Sequence, residues 1–319
     1  MKLSLLTLLS LLPLIPAKLL LDYDATRGDP PTKLGTIEME STRGHREFTN
    51  TNALSIKPGK DSTGQPALHF HRDKGNIRAE VRALKGEIED GKTYYIGYEF
   101  AMADVQESLV VWQFKTYNPT DQTTANIPLS LEVKRNKLNL HYQRNRSSTR
   151  QSQWAVTPEP NAVNSVVLGI RTAATEDDGW VELYWNGEQQ VLGDEKVKRL
   201  AAATNPGQSE PKFGAYRGEE IDVDTFVYRV RIGEELGDLG DGFGKGVGNS
   251  DGYDGGDGGD CDDDSSDVNS SNDDGSDDGS DDGSDDGSDD GSDDGSDDGG
   301  DDGSDDGGDD GGDDDGSDC

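Results

Sequence analysis

The sequence predicts an all-β fold, an antiparallel β-sandwich of the jelly-roll type, and three observations predict it. Between residues 36 and 232, apolar and polar residues alternate in short runs with almost no helical periodicity. One run ends at Asn186-Gly187, the strongest short signal for a tight hairpin. The runs recur at short spacing within one stretch of ordinary domain size, which implies two stacked antiparallel sheets.

Taken in order, residues 93–102 are rich in Tyr, Ile and Phe and read as a long strand. Leu129, Leu131 and Val133 alternate with polar residues, residues 134–137 turn the chain, and Leu138, Leu140 and Tyr142 resume the alternation. Residues 181–185 form the strand that leads into Asn186-Gly187. A helical turn or two is expected around residues 195–203. Phe226, Tyr228 and Val230, alternating with Val227, Arg229 and Arg231, make a late strand.

The chain divides into three parts. Residues 1–17 read as a secretory signal peptide: Lys2 opens it, residues 3–15 are almost continuously apolar, and Ala17 supplies the small residue for cleavage. That apolar run is shorter than the ~20 residues needed to span a bilayer, so an extracellular protein is expected, with no membrane partner. Residues 18–240 form the body. Residues 241–319 form a Gly/Ser/Asp-rich tail that settles into a Gly-Ser-Asp-Asp repeat from Gly275 onward. It has almost no apolar residues after Val268, so nothing offsets the entropy of ordering it, and it is expected to be disordered.

Most of the net charge of −36 belongs to that tail. Of the 66 acidic residues, 33 are tail aspartates, set against the single base Lys245, which leaves the body near −5. Both cysteines, Cys261 and Cys319, also lie in the tail, so the body has no disulfide and must rest on its apolar core. Asn145-Arg146-Ser147 and Asn269-Ser270-Ser271 fit the glycosylation triplet. The body has no zinc pattern, no Gly-rich phosphate loop and no basic stripe, so nucleic acid is not an expected partner, and a monomer is expected.

Side chains two apart on a strand share a face. Arg78, Glu80 and Arg82 therefore project together, as do Gln113 and Lys115, and Lys212 and Tyr216. Trp112, Phe114 and Thr116 occupy the reverse of the middle set and read as core. Each set alone matches an ordinary exposed strand face, or for the first a salt-bridge ladder. Three such strands in one all-β domain suit a groove for an acidic polymer.

The segments Arg78-Ala79-Glu80-Val81-Arg82, Trp112-Gln113-Phe114-Lys115 and Lys212-Phe213-Gly214-Ala215-Tyr216 resemble the three strand motifs of jelly-roll polysaccharide lyases. Alginate lyases of this fold carry Arg-x-Glu-x-Arg, Gln-x-His and Lys-x-Gly-x-Tyr strands, and here Lys115 replaces the histidine. The stretch from His69-Phe70-His71-Arg72 through Gln113 to residues 127–131 more closely resembles fungal glucuronan lyases, polysaccharide lyase family 20.

The resemblance implies β-elimination at a uronic acid of an acidic polysaccharide in a concave groove, by an endo-acting lyase of polyglucuronate. Alginate lyase and a non-catalytic carbohydrate-binding jelly roll are the alternatives. Gln113 and Arg82 would neutralise the substrate carboxylate, and Tyr216 would serve as base and then acid, with cationic neighbours such as Lys212 or Arg217 lowering its cost of ionisation. Arg78, Glu80, Lys115, Lys212 and His141 would bind the flanking sugars. His71 would line the same site, as base or carboxylate neutraliser, and His69 shares its strand face. No cofactor is required. A structural calcium ion away from the groove is the expected metal, with Glu40 and Asp224 as its ligands if the first and last strands pair.

Overall fold

Residues 19–117, 119 and 123–243 are described by the computed structural model; the leader and the tail from residue 244 onward lie outside them. The chain opens with β1 (Leu19–Asp24), a 3-10 turn at Ala25–Arg27 and a single helical turn, α1 (Pro31–Leu34), started by Pro31, whose missing N–H costs nothing there. The alternating runs then form β2 (Thr36–Thr42), β3 (His45–Glu47), β4 (Leu54–Lys60), β5 (Pro66–Arg72) and β6 (Arg78–Arg82). Next come β7 (Thr93–Met102), β8 (Val110–Tyr117), β9 (Leu129–Lys134), β10 (Lys137–Tyr142) and β11 (Gln151–Val156). The last six are β12 (Asn164–Arg171), β13 (Trp180–Trp185), β14 (Glu188–Gln189), β15 (Leu200–Ala201), β16 (Gln208–Tyr216) and β17 (Val223–Gly233).

These strands form two antiparallel sheets. One runs β14-β13-β12-β7-β17-β5-β4, with β1 added to β17 and β15 to β13. The other runs β11-β10-β9-β8-β16-β6-β2-β3 and is called here the polar-face sheet. No helix among the described residues is long and apolar enough to cross a membrane.

Tight turns set the register. Arg135 and Asn136 both take positive φ (53° and 56°) between β9 and β10, and Asn186 and Gly187 do the same (49° and 89°) between β13 and β14. Two consecutive positive-φ residues are the hairpin geometry that follows the strand twist, as Asn186-Gly187 predicts. The core lies between the sheets. Trp112, Phe114 and Phe213 of the polar-face sheet meet Phe70, Tyr98 and Phe100 of the other, all fully buried. Tyr98 stacks on Phe100 at 4.5 Å and takes the edge of Phe213 at 5.0 Å. Each such side chain contributes about 1.5–3 kcal/mol by leaving water.

Three expectations are corrected. No helix forms at residues 195–203: a turn closed by Leu192 and Val197 is followed by β15. Gly193 and Lys196 hold φ of 65° and 54° there, a conformation a right-handed helix cannot contain. The first strand is β1 and not the run starting at Thr36; its Leu19-Leu20-Leu21 run continues the apolar leader and hides the alternation. The packed body also extends past Gly240, because Phe243 is buried, with the Arg229 guanidinium 4.3 Å above its ring.

Candidate active site

The polar outer face of the polar-face sheet gathers most of the sequence-predicted residues. On β6, Ala79 and Val81 face the core and Arg78, Glu80 and Arg82 the opposite side. Antiparallel pairing then aligns distant segments. His141 pairs with Ser130, Ser130 with Gln113, Gln113 with Lys212, Lys212 with Arg82 and Arg82 with Thr36. This row crosses six strands, each about 4.8 Å from the next. A parallel row sets Tyr216 beside Arg78 and Arg78 beside Glu40.

Glu80, almost fully buried, ties the rows together. It accepts hydrogen bonds from Gln113 Nε2 at 2.6 Å and lies 2.8 Å from Lys212 Nζ and 3.2 Å from Arg78 Nε. Lys212 is completely buried and also reaches Glu38 at 2.7 Å. Burial is the largest influence and works against its charge, but Glu80, Glu38 and Tyr117 together outweigh it and hold the ammonium protonated above the usual lysine range. Burial would likewise raise the Glu38 carboxyl, and Lys212 overrides it to keep Glu38 ionised. The side-chain oxygen of buried Gln113 finds no hydrogen-bond partner among the described residues, an orphan that a ligand donor would satisfy.

Tyr216 sits at one end of this network. The Arg78 guanidinium stands 4.8 Å from its ring centre and that of Arg217 stands 5.5 Å away. The β16–β8 pairing is irregular between Phe213 and Tyr216. Gly214 makes the irregularity feasible: at φ +132°, a Cβ would come within 2.4 Å of the Ala79 carbonyl oxygen and 2.6 Å of Phe70.

At the other end, Arg82 bonds Glu210 and lies 3.4 Å over the Tyr117 ring. Lys115 donates to Asn126 at 2.8 Å and approaches the same ring at 4.9 Å. Burial, then the charges of Lys212 and Arg78, pull the Lys115 pKa down to about 8. His141 is buried, 3.4 Å from Glu132, two strands from Gln113.

Two predicted placements fail. His71 is not on this face: its strand β5 belongs to the other sheet, where Leu68 and Phe70 point inward and His69 and His71 point out on the far side. Glu40 and Asp224 do not meet. Glu40 is on β2 of the polar-face sheet, 3.6 Å from Arg78, whereas Asp224 is on β17 of the other sheet, bonded to His69 and His71. The strand that pairs with β17 as first strand is β1. Asp224 thus keeps imidazole neighbours, which a hard, oxygen-seeking calcium ion does not favour.

Sequence reasoning missed Glu38, Tyr117 and Glu210. The period of two held the signal: Tyr117 continues Gln113 and Lys115, and Glu210 precedes Lys212, each by one step.

The family model described as polysaccharide lyase matches residues 32–230, more than half of the chain. The chain belongs to the polysaccharide lyase family. No curated protein sequence matches it. Among solved structures, the lyase is similar to an endo-β-1,4-glucuronan lyase from the fungus Trichoderma reesei, with 16% identity, 63% of this chain and 96% of that chain covered, and a TM-score of 0.46. It is also similar to the family 7 alginate lyase AlgAT5 (13% identity, 65% and 100% covered, TM-score 0.43). A third is the alginate lyase AlyC3 (12% identity, 62% and 90% covered, TM-score 0.45).

Proposed function

We propose that this lyase is a secreted enzyme that cuts β-1,4-linked polyglucuronate within the chain by β-elimination. The observation that carries the reading is the row Gln113–Lys212–Arg82, joined through Glu80 to Arg78 and so to Tyr216. The C5 proton of a uronate is very weakly acidic while the carboxylate keeps its charge. Arg82 supplies donors for that carboxylate and for the dianion that develops when the proton leaves, joined by the second N–H of Gln113 Nε2, whose first is held by Glu80. Tyr216, flanked by Arg78 and Arg217, acts as the base that removes the C5 proton. The C5–H electron pair becomes the C4=C5 bond, the C4–O4 bond breaks, and O4 takes the proton back from Tyr216. In β-D-glucuronate the C5 hydrogen and O4 lie on the same side of the ring, so one group serves both transfers. Arg78 and Lys115 hold neighbouring sugars, Lys212 and Glu80 form the charged floor, and His141 lies further along the row. Secretion rests on the leader read in residues 1–17.

The test is to incubate the full chain with glucuronan and, separately, with alginate, following the ultraviolet absorbance of the new conjugated double bond. A rapid rise with glucuronan, accompanied by a spread of oligomer sizes, is the expected outcome. Tyr216→Phe should lower kcat by about 10²–10⁴-fold and leave KM nearly unchanged, since only the proton-transferring hydroxyl is lost. A rise with alginate alone moves the substrate to polymannuronate. Binding without any absorbance change makes the domain a non-catalytic carbohydrate-binding module.

A further inference from the structure

On the far side of the molecule from the polysaccharide chemistry, β5 and β17 assemble a group that the lyase reading does not use. His69 and His71 are two apart on β5 and so share a face, and the antiparallel register sets Asp224 opposite His71. His69 Nε2 lies 2.6 Å and His71 Nδ1 2.7 Å from the same oxygen, Oδ1 of Asp224. We propose that His69, His71 and Asp224 form a binding site for a divalent transition-metal ion of the zinc class.

His71 is held from both sides. Its Nε2 lies 2.8 Å from Asp73 Oδ1 and its Nδ1 2.7 Å from Asp224 Oδ1, so the ring is fixed with Nδ1 aimed at the point where His69 Nε2 also converges. A metal at that point would take Nδ1, with Asp73 orienting the imidazole from behind as carboxylates do for metal-bound histidines.

The rings are also held in place. His69 stacks on Phe226 at 4.8 Å and 13°, and Gly59 leaves its Cβ room on the other side, where an added methyl would stand 3.2 Å away. Zinc ligands lie about 2.0–2.2 Å from the ion. Tetrahedral placement therefore separates them by roughly 3.3 Å, so the two approaches to Asp224 must open by under about 1 Å within a group whose ligand atoms all lie within 4.8 Å of one another. Side-chain exposures of 21–33% leave the outward positions to water. Two nitrogens and one carboxylate favour zinc, cobalt or nickel over calcium. The ion would staple β5 to β17 and has no part in the elimination step.

The experiment is calorimetric titration of the full chain with Zn²⁺, and of a parallel sample with Co²⁺ read by its visible absorption. H69Q/H71Q in the same full chain subtracts metal held by the aspartates and cysteines of the tail. The wild type should show one tight equivalent, a Co²⁺ ligand-field spectrum, and a thermal midpoint about 5–10 °C higher at a hundredfold excess of free metal over Kd. The double variant should show none of these, and Ca²⁺ should not reproduce them. Asp73→Asn, at a half-exposed side chain, tests the site without disturbing the ligands and should weaken binding about 10- to 100-fold. Identical stoichiometry and spectra in wild type and H69Q/H71Q would overturn the site and leave a protonated His71 bridging two carboxylates. A midpoint raised equally by Ca²⁺ through the same residues would overturn the metal class.

Discussion

The two outer faces of this sandwich carry charge in different ways. On the polar-face sheet, Glu80 and Lys212 are at most 1% exposed and each has more than one charged partner. On the other sheet, the Arg229–Glu99 pair is a two-pronged bond at 2.6 and 3.1 Å, with both side chains 20% exposed. A buried ion pair gains little over an apolar replacement, because desolvation consumes most of the attraction. Burying charges across several strands is therefore a cost that the proposed role of this face, holding donors in place for a ligand, accounts for. The partly wet pair needs no such explanation.

Breaking one pair on each face gives the largest expected contrast. Glu80→Ala leaves buried Lys212 with Glu38 alone, takes from Arg78 its nearest carboxylate and unpairs the Gln113 amide, and should cost about 3–5 kcal/mol. Glu99→Ala on the other sheet should cost about 1 kcal/mol. Urea unfolding of both variants at neutral pH measures the difference, and equal losses would show that the buried network is ordinary surface pairing.

What was legible follows the same division. Period-two alternation placed Arg78, Glu80 and Arg82 on one face, and Lys212 and Tyr216 on another, because side-chain direction on a strand is local. Which strands neighbour each other is not local. β6 and β16 lie more than 120 residues apart in sequence, and only their pairing brings Arg82 beside Lys212. The same gap misplaced His71: alternation showed that it shares a face with His69 but not which sheet carries β5. Glu40 and Asp224 failed for a related reason, since β1 took the place beside β17. Burial, which sets the Lys115 pKa, depends on every strand around it and had no sequence signal.

A middle-sized effect sharpens where the body ends. Phe243 closes over the sheet opposite the polar-face sheet, beneath Arg229 and beside Val167, Tyr184 and Leu239. A chain ending after Gly240 loses that ring and should lose about 2 kcal/mol, roughly 4–8 °C of thermal midpoint. A chain ending after Phe243 should keep the full midpoint. Calorimetry on the two truncations reads this directly, and equal midpoints would return the boundary to Gly240.

The smallest effect isolates one cation of the polar face. Lys115 has a pKa near 8, set by burial and then by Lys212 and Arg78. Its folded value lies below the ordinary lysine value, so between about pH 8 and 10.5 the unfolded chain binds the extra proton. Lys115 therefore opposes folding below pH 8, and that cost is relieved as the pH rises through this window. Function moves the other way. If Lys115 binds the proposed substrate, the free enzyme loses that charge above pH 8, so kcat/KM on polyglucuronate should fall, chiefly through KM, with an apparent pKa near 8. Lys115→Arg keeps a charge across the whole range and should remove that limb of the profile while leaving kcat at neutral pH within a few-fold. If Lys115→Arg retains the alkaline fall unchanged, the titrating group is elsewhere. Bound substrate should in turn raise the Lys115 pKa, so the fall in kcat itself must begin at higher pH than the fall in kcat/KM.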